Sequence, residues 1–174
     1  VNDVIGVLRA YVSSSEREES DRCTMLRLAA ELHQPLSREE GAAHFTASAF
    51  VIDEPGELVC LVQHEKLGKL LQPGGHLEDT DLSLESAALR EATEETKLVV
   101  ELHPTAPRPF DLDIHEIPDR PNEPAHWHLD VRYLMVGYGE PCDGAAWHPI
   151  GTAGDDSVDR LTAKVIALRT RTPS

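Results

Sequence analysis

Aromatic residues are scarce in this 174-residue chain: three Phe, three Tyr and two Trp make up 5% of it. Aliphatic side chains and alanine must therefore fill the interior, and an apolar content of 40% is enough for a core. Long apolar runs are missing as well. None approaches the roughly 20 residues needed to cross a bilayer, so no membrane partner is expected. No basic, apolar, small-residue signal segment opens the sequence, and a cytoplasmic location is the expectation. There are three cysteines, Cys23, Cys60 and Cys142, far apart and without a CxxC pair. That spacing gives no basis for a structural zinc knuckle and suits a reducing compartment. Cys60 lies in an apolar run and reads as buried filler. Positive charge is the last shortage: 16 basic against 31 acidic residues leave a formal charge of −15. Such a surface repels polyanions, which argues against a nucleic-acid polymer as partner. A small phosphorylated substrate remains open if metal ions neutralise its site.

What is present divides the chain at about residue 43. Residues 1–43 read as a helical extension. Val4, Ile5, Val7, Leu8, Tyr11 and Val12 indicate one helix, interrupted at Ser13-Ser14-Ser15. Ser15 and Glu18 form a capping-box signature for a second helix, whose apolar face is Met25, Leu26, Leu28, Ala29 and Leu32 and which Pro35 ends. The expected job of this hairpin is to cover a sheet edge or to form a homodimer contact. Residues 44–174 read as a second domain. Phe45–Asp53 alternates as a strand, Glu54-Pro55-Gly56 turns, and Glu57–His64 returns, which predicts a β-hairpin. Pro73-Gly74-Gly75 reads as a loop, 82–96 as a helix, and 98–103, 110–117 and 128–138 as strands, with a proline-rich loop at Pro118, Pro121 and Pro124. A helix over 157–171 closes the chain. This order predicts a mixed α/β sandwich, not an alternating parallel fold.

The chemistry concentrates in Arg90-Glu91-Ala92-Thr93-Glu94-Glu95. At 3.6 residues per turn, Glu91, Glu94 and Glu95 fall within an arc of roughly 100°, with Arg90 about 40° beyond Glu94. Like charges at this spacing cost a few tenths of a kcal/mol unless water or a cation offsets them. Leu84, Ala87 and Ala88 lie on the same stripe one to two turns earlier, so the carboxylates are expected to be partly buried. Oxygen donors of this kind suit Mg²⁺ or Mn²⁺, and Arg90 can fix one carboxylate by a bidentate bond. Alone, such a run is most often a solvated face. The glycines before it change the balance, because Gly75 can offer a carbonyl without side-chain hindrance.

Gly75-His76-Leu77-Glu78-Asp79-Thr80-Asp81 and Leu89-Arg90-Glu91-Ala92-Thr93-Glu94-Glu95-Thr96-Lys97-Leu98 together resemble the Nudix box, G-x5-E-x7-R-E-U-x-E-E-x-G-U, of the MutT-like Nudix hydrolases. The resemblance implies an α/β/α sandwich with a mixed sheet over residues 44–174. It implies hydrolysis of a diphosphate linkage in a nucleoside diphosphate derivative or a related small metabolite. It further implies that Glu91, Glu94, Glu95 and the Gly75 carbonyl hold Mg²⁺ or Mn²⁺, with Arg90 orienting the glutamates and Glu94 as first choice for the general base. The sequence departs from the pattern in three places. Asp81 stands at the first glutamate, eight residues separate it from Arg90 where the pattern has seven, and Lys97 replaces the glycine after the helix.

A second constellation is His126-Trp127-His128-Leu129-Asp130-Val131-Arg132. On a strand, His126, His128, Asp130 and Arg132 share one face and are candidate substrate-binding residues; the competing reading is an internally paired sheet face. A zinc site of His126, His128 and Asp130 has only this alternation in its favour. His64, His76 and His115 are further pocket candidates. Two other functions compete with a hydrolase: a catalytically weak nucleotide-binding or regulatory module on the same fold, and an isoprenoid diphosphate isomerase, which would need a reactive cysteine beside the site.

Overall fold

The computed structural model describes residues 4–64, 68–121, 124–152 and 156–171. Residues 1–3 of the helical extension and 122–123 of the proline-rich loop lie outside them. Among the described residues there are four helices and eight strands. They are α1 (Val4–Ala10), α2 (Glu16–Glu31), β1 (Ala43–Ile52), β2 (Leu58–His64), β3 (Lys69–Leu71), β4 (Gly74–His76), α3 (Leu84–Thr96), β5 (Val99–Leu102), β6 (Asp111–Ile117), β7 (His126–Tyr138), β8 (Ala145–Pro149) and α4 (Asp156–Arg171). The strands join in the order β3-β2-β1-β7-β5, with β4 on β1, β6 on β7 and β8 on β2. This is an α/β fold built on a mixed arrangement of strands and helices.

The chain divides into two compact units, and β1, β7 and α3 run through both. The first holds residues 1–48, 75–88 and 108–133. Its helical hairpin forms where the caps predict. The Ser15 hydroxyl accepts from the Glu18 N–H at 3.2 Å. Glu18 does not return the bond to Ser15 as a capping box would. Its carboxylate instead takes the Ser14 N–H and hydroxyl and the Tyr11 hydroxyl, at 2.9, 2.6 and 2.6 Å. Glu18 is thereby buried and binds the end of α1 to the start of α2. Burial and the neighbouring carboxylate raise the Tyr11 pKa well above that of a free phenol. Arg17 reaches from α2 to Asp113 Oδ1 and to the Leu112 carbonyl, both at 2.9 Å. The extension therefore packs on β6 and shares a unit with it. β6 pairs antiparallel with β7 from Asp111↔Arg132 to Ile117↔His126.

The second unit holds residues 49–74, 89–107 and 134–174. Here β1 and β2 make the expected antiparallel hairpin, with Val51 opposite Cys60. The Asp53 carboxylate accepts the N–H groups of Glu57 and Leu58 at 2.7 and 2.8 Å, which closes the turn. Two short strands on β2 escape a sequence reading: β3, and β8, which pairs Leu58↔Pro149 through Val62↔Ala145. β4 is a third correction. Gly74-Gly75-His76 is a strand and not only a loop. Glycine has little strand preference of its own, so pairing to β1 imposes the conformation. β1 itself does not alternate: all ten of its residues are buried, polar ones included.

Two backbone positions set close tolerances in this unit. A Cβ on Gly137 would stand 2.7 Å from Val51 Cγ1 and 3.1 Å from Leu98 Cδ1, so β7 needs glycine there. Lys97 adopts φ 60°, and its N–H closes on the Thr93 carbonyl at 2.9 Å. The helix thus ends in the left-handed conformation that glycine favours, with a lysine in it. Gly137→Ala is expected to lower unfolding free energy by about 1–3 kcal/mol, through overpacking. Lys97→Gly is expected to raise it by up to about 1 kcal/mol, while Lys97→Val lowers it. Urea titration of the three variants checks both expectations.

Candidate functional site

The carboxylate helix forms as its sequence predicts. Leu84, Ala87, Ala88 and Ala92 are buried, with at most 2% of their surface exposed. Alanine fills three of these buried positions. The buried stripe does not continue into the glutamates. In the last turns it rotates to Ala92 and Thr96, both fully buried. Of the three carboxylates, Glu91 has 15% of its side chain exposed and Glu94 56%, and Glu95 is exposed as well. Partial burial thus belongs to Glu91.

Within the second unit, Nη1 of Arg90 donates to Glu91 Oε1 at 3.0 Å and to Glu94 Oε2 at 3.2 Å. One nitrogen thus bridges two carboxylates. The Gly74 N–H donates to Glu95 Oε2 at 3.0 Å, which ties the glycine segment to the third glutamate. Packing of protein atoms around the Glu95 carboxylate raises its pKa; the Gly74 N–H opposes the rise, and Glu91 and Glu94 add to it. By surface area the residue is still exposed, so the carboxylate is hemmed in but not enclosed. Cys142 closes the end of the helix, with its N–H on the Thr96 carbonyl at 2.9 Å and its thiol on the Glu95 carbonyl at 3.2 Å. Burial pushes the Cys60 thiol up to about 12, so that residue is not a nucleophile.

In the first unit, Gly75 is the middle residue of β4. Asp81 occupies its own turn. Its carboxylate accepts the Glu78 N–H at 2.8 Å, and its N–H donates to the Glu78 carbonyl at 2.9 Å.

The polar face of β7 has two fates. Asp130 and Arg132 are buried, with 4% and 1% of their surface exposed. Arg132 donates Nε to Asp130 at 2.7 Å, Nη2 to Asp113 at 2.8 Å and Nη1 to Asp111 at 3.3 Å. Thr46 and Ser48 of β1 donate to the two Asp130 oxygens at 3.0 and 2.7 Å. Asp130 and Arg132, expected to bind substrate, thus lie in an internal network, because a buried guanidinium must be neutralised where it sits. Burial alone would push the Asp130 carboxyl up, but Arg132, His115 and Ser48 outweigh it and hold it below the usual carboxylate range. Burial likewise works against the charge on Arg132, yet three aspartates keep it firmly protonated.

The other fate belongs to the histidines. His126 and His128 join His44 of β1, His76 of β4 and His115 of β6. Ring centroids of His44 lie 5.0, 4.9 and 5.0 Å from those of His76, His126 and His128. His128 lies 5.1 Å from His76 and 5.4 Å from His115. Burial, with His115, His76 and His44 around it, pushes His128 down to about 3, so it is neutral near pH 7. His44 was not a sequence candidate. It sits in a run that reads as strand core, and only the pairing of β1 with β4 and β7 brings it to the others. His64, also a pocket candidate, ends β2 in the second unit.

Comparison with known proteins gives a family match. The NUDIX domain model matches residues 42–164. No curated protein matches the chain significantly. Among solved structures, a hydrolase of the NUDIX family from Clostridium perfringens is 27% identical, with a TM-score of 0.52, and covers 72% of this chain and 97% of its own. The NUDIX domain of Shewanella oneidensis NrtR, solved with ADP-ribose, is 20% identical with a TM-score of 0.52, over 84% of this chain and 97% of its own. A C. elegans Ap4A hydrolase is 13% identical with a TM-score of 0.52, over 74% and 98%. At these identities the last two show likeness of fold.

The buried cluster generates a pH-dependent expectation. In the native protein the depressed Asp130 adds stability above its unfolded pKa, and that stability is lost as pH falls through the folded one. Arg132→Leu removes the guanidinium and leaves burial to push Asp130 up, which reverses the sign. The variant is expected to lose about 3–5 kcal/mol near neutral pH, and the gap to wild type should narrow toward pH 4. Chemical denaturation at a series of pH values measures it; a gap that stays constant contradicts the network's role.

Proposed function

This chain belongs to the NUDIX family of pyrophosphohydrolases, and from that premise we propose that Glu91, Glu94 and Glu95 hold Mg²⁺ or Mn²⁺ for cleavage of a nucleoside diphosphate derivative. The observation that carries the reading is the arrangement on α3: three carboxylates on one face, two bridged by Arg90 and the third met by the Gly74 N–H. The donor set fits the ion. All three are hard oxygen ligands, and their mutual repulsion is relieved by a dication. When bound, the ion supplies charge neutralisation of the diphosphate and a lowered pKa for the attacking water.

The chain's own residues do the rest. Arg90 holds Glu91 and Glu94 in fixed rotamers, which limits the entropy lost when they engage a ligand. Water adds to phosphorus, the bridging P–O bond breaks, and a carboxylate accepts the proton from the water. Glu94 is assigned that role; its side chain is the more exposed partner of Arg90. A second reading gives the role to Glu95, because its raised pKa makes it the stronger base. Ap4A and ADP-ribose, named with two fold neighbours, are the first substrates to test. The chain carries a formal charge of −15, so affinity for any of them is expected to depend on the ion.

Glu94→Gln and Glu95→Gln are each expected to cut Mg²⁺- or Mn²⁺-dependent hydrolysis by about 10²-fold or more, with folding unchanged. The base is the one whose variant also loses the acid limb of the kcat–pH profile. Unchanged turnover in both variants rules the assignment out.

A further inference from the structure

The carboxylates of α3 are not the only set of side chains that could hold a cation. In the first unit, His44, His76 and His128 each present a ring nitrogen, and the three nitrogens lie within 4.8 Å of one another. We propose that these three histidines form a second metal site, for a divalent transition-metal ion of the Zn²⁺ class. The site stands apart from the hydrolase reading and differs from it in chemistry. Imidazole nitrogens favour Zn²⁺, Ni²⁺, Co²⁺ or Cu²⁺, whereas Mg²⁺ seeks oxygen.

Three features support it. First, the ligands come from three strands, β1, β4 and β7, so the fold and not local sequence assembles them. His44 is 2% exposed and the other two are half-buried, which keeps bulk water from filling the coordination sphere. Second, outer contacts orient the rings. Nδ1 of His44 lies 3.2 Å from the Glu40 carbonyl, and a proton donated there leaves Nε2, a buried atom, as the lone-pair donor. Ligand histidines are commonly fixed in this way. Third, His126 stands beside the group, in contact with His128. Its Nδ1 lies 2.8 Å from the Pro124 carbonyl, and its Nε2 is 3.3 Å from His128 Nε2. That spacing is close to the roughly 3.4 Å between nitrogens around a tetrahedral Zn²⁺. His115, held by Asp113 at 3.0 Å, packs against His128 from the side. Closing the three nitrogens onto one ion requires a shift of about 1 Å in side chains, within reach of small χ changes.

The test uses the full chain stripped of metal and dialysed against Zn²⁺, with excess Mg²⁺ present. One Zn²⁺ per chain is expected by elemental analysis, retained in the Glu91→Gln/Glu95→Gln variant and lost in His76→Gln and in His128→Gln. Co²⁺ in place of Zn²⁺ should give the visible absorption of a nitrogen-ligated tetrahedral ion. Protection mapping of the unmutated chain guards against misfolded variants: Zn²⁺ should shield His76 and His128, the two half-buried rings, from acylation by diethyl pyrocarbonate. The proposal is overturned if wild type retains no Zn²⁺, or if retention follows the glutamates and not the histidines. It is equally overturned if Zn²⁺ leaves the acylation of His76 and His128 unchanged, or if inorganic phosphate shields them and Zn²⁺ does not.

Discussion

A guanidinium with 1% of its surface exposed has to be neutralised where it sits, and in this chain that requirement falls on Arg132. Three aspartates, from β6 and β7, meet its nitrogens, and two hydroxyls from β1 fill the remaining positions on Asp130. Arg17 extends the network to α2 through Asp113. Removing one partner from such a set leaves an uncompensated buried charge, which is why its members depend on each other. The network ties two paired strands to β1 and anchors the helical hairpin. It also decides which polar residues are left for chemistry. Asp130 and Arg132 go inward, and the histidines of the same strand face gather with three others at the end of the sheet pairing. The network spans the Asp111↔Arg132 and Asp113↔Asp130 pairs of the β6–β7 ladder.

Helix α3 solves a different problem. Its buried stripe runs over Ala87, Ala88, Ala92 and Thr96, which leaves Glu94 and Glu95 facing outward. Repulsion among the glutamates is moderated by one guanidinium and one backbone N–H. The helix then ends through Lys97 in a conformation that glycine would adopt at less cost. The count from Asp81 to Arg90 is one residue longer than the family pattern, and Asp81 caps a turn of its own between β4 and α3. Departures from the family pattern thus change the segments on either side of the helix and leave the order of its carboxylates intact.

Much of this was legible in the sequence because it rests on local signals. The Ser15 cap, the Glu54-Pro55-Gly56 turn, the apolar spacing of α3 and the run Arg90–Glu95 each lie within a few residues. The NUDIX match over 42–164 agrees with the motif that those residues spell. What the sequence hid depends on partners far along the chain. β4 and β8 are strands because β1 and β2 pair with them, not because Gly74-Gly75 or Ala145-Ala146 favour extension. Alternation along β7 put Asp130 and Arg132 on one face but could not say that the face is internal. The burial of all of β1, and with it the place of His44 beside His76 and His128, follows only from topology.

If the glutamates of α3 work through a bound Mg²⁺ or Mn²⁺ ion, hydrolysis must follow that ion. The decisive experiment is a screen across nucleotide sugars, dinucleoside polyphosphates, NADH, ADP-ribose and nucleoside triphosphates, run on metal-depleted protein with and without added Mg²⁺ or Mn²⁺. Cleavage of at least one diphosphate linkage should be absent in the depleted protein and restored by either ion. Cleavage that persists without the ion, or none on any of these substrates with it, would show that the glutamates do not act in this way.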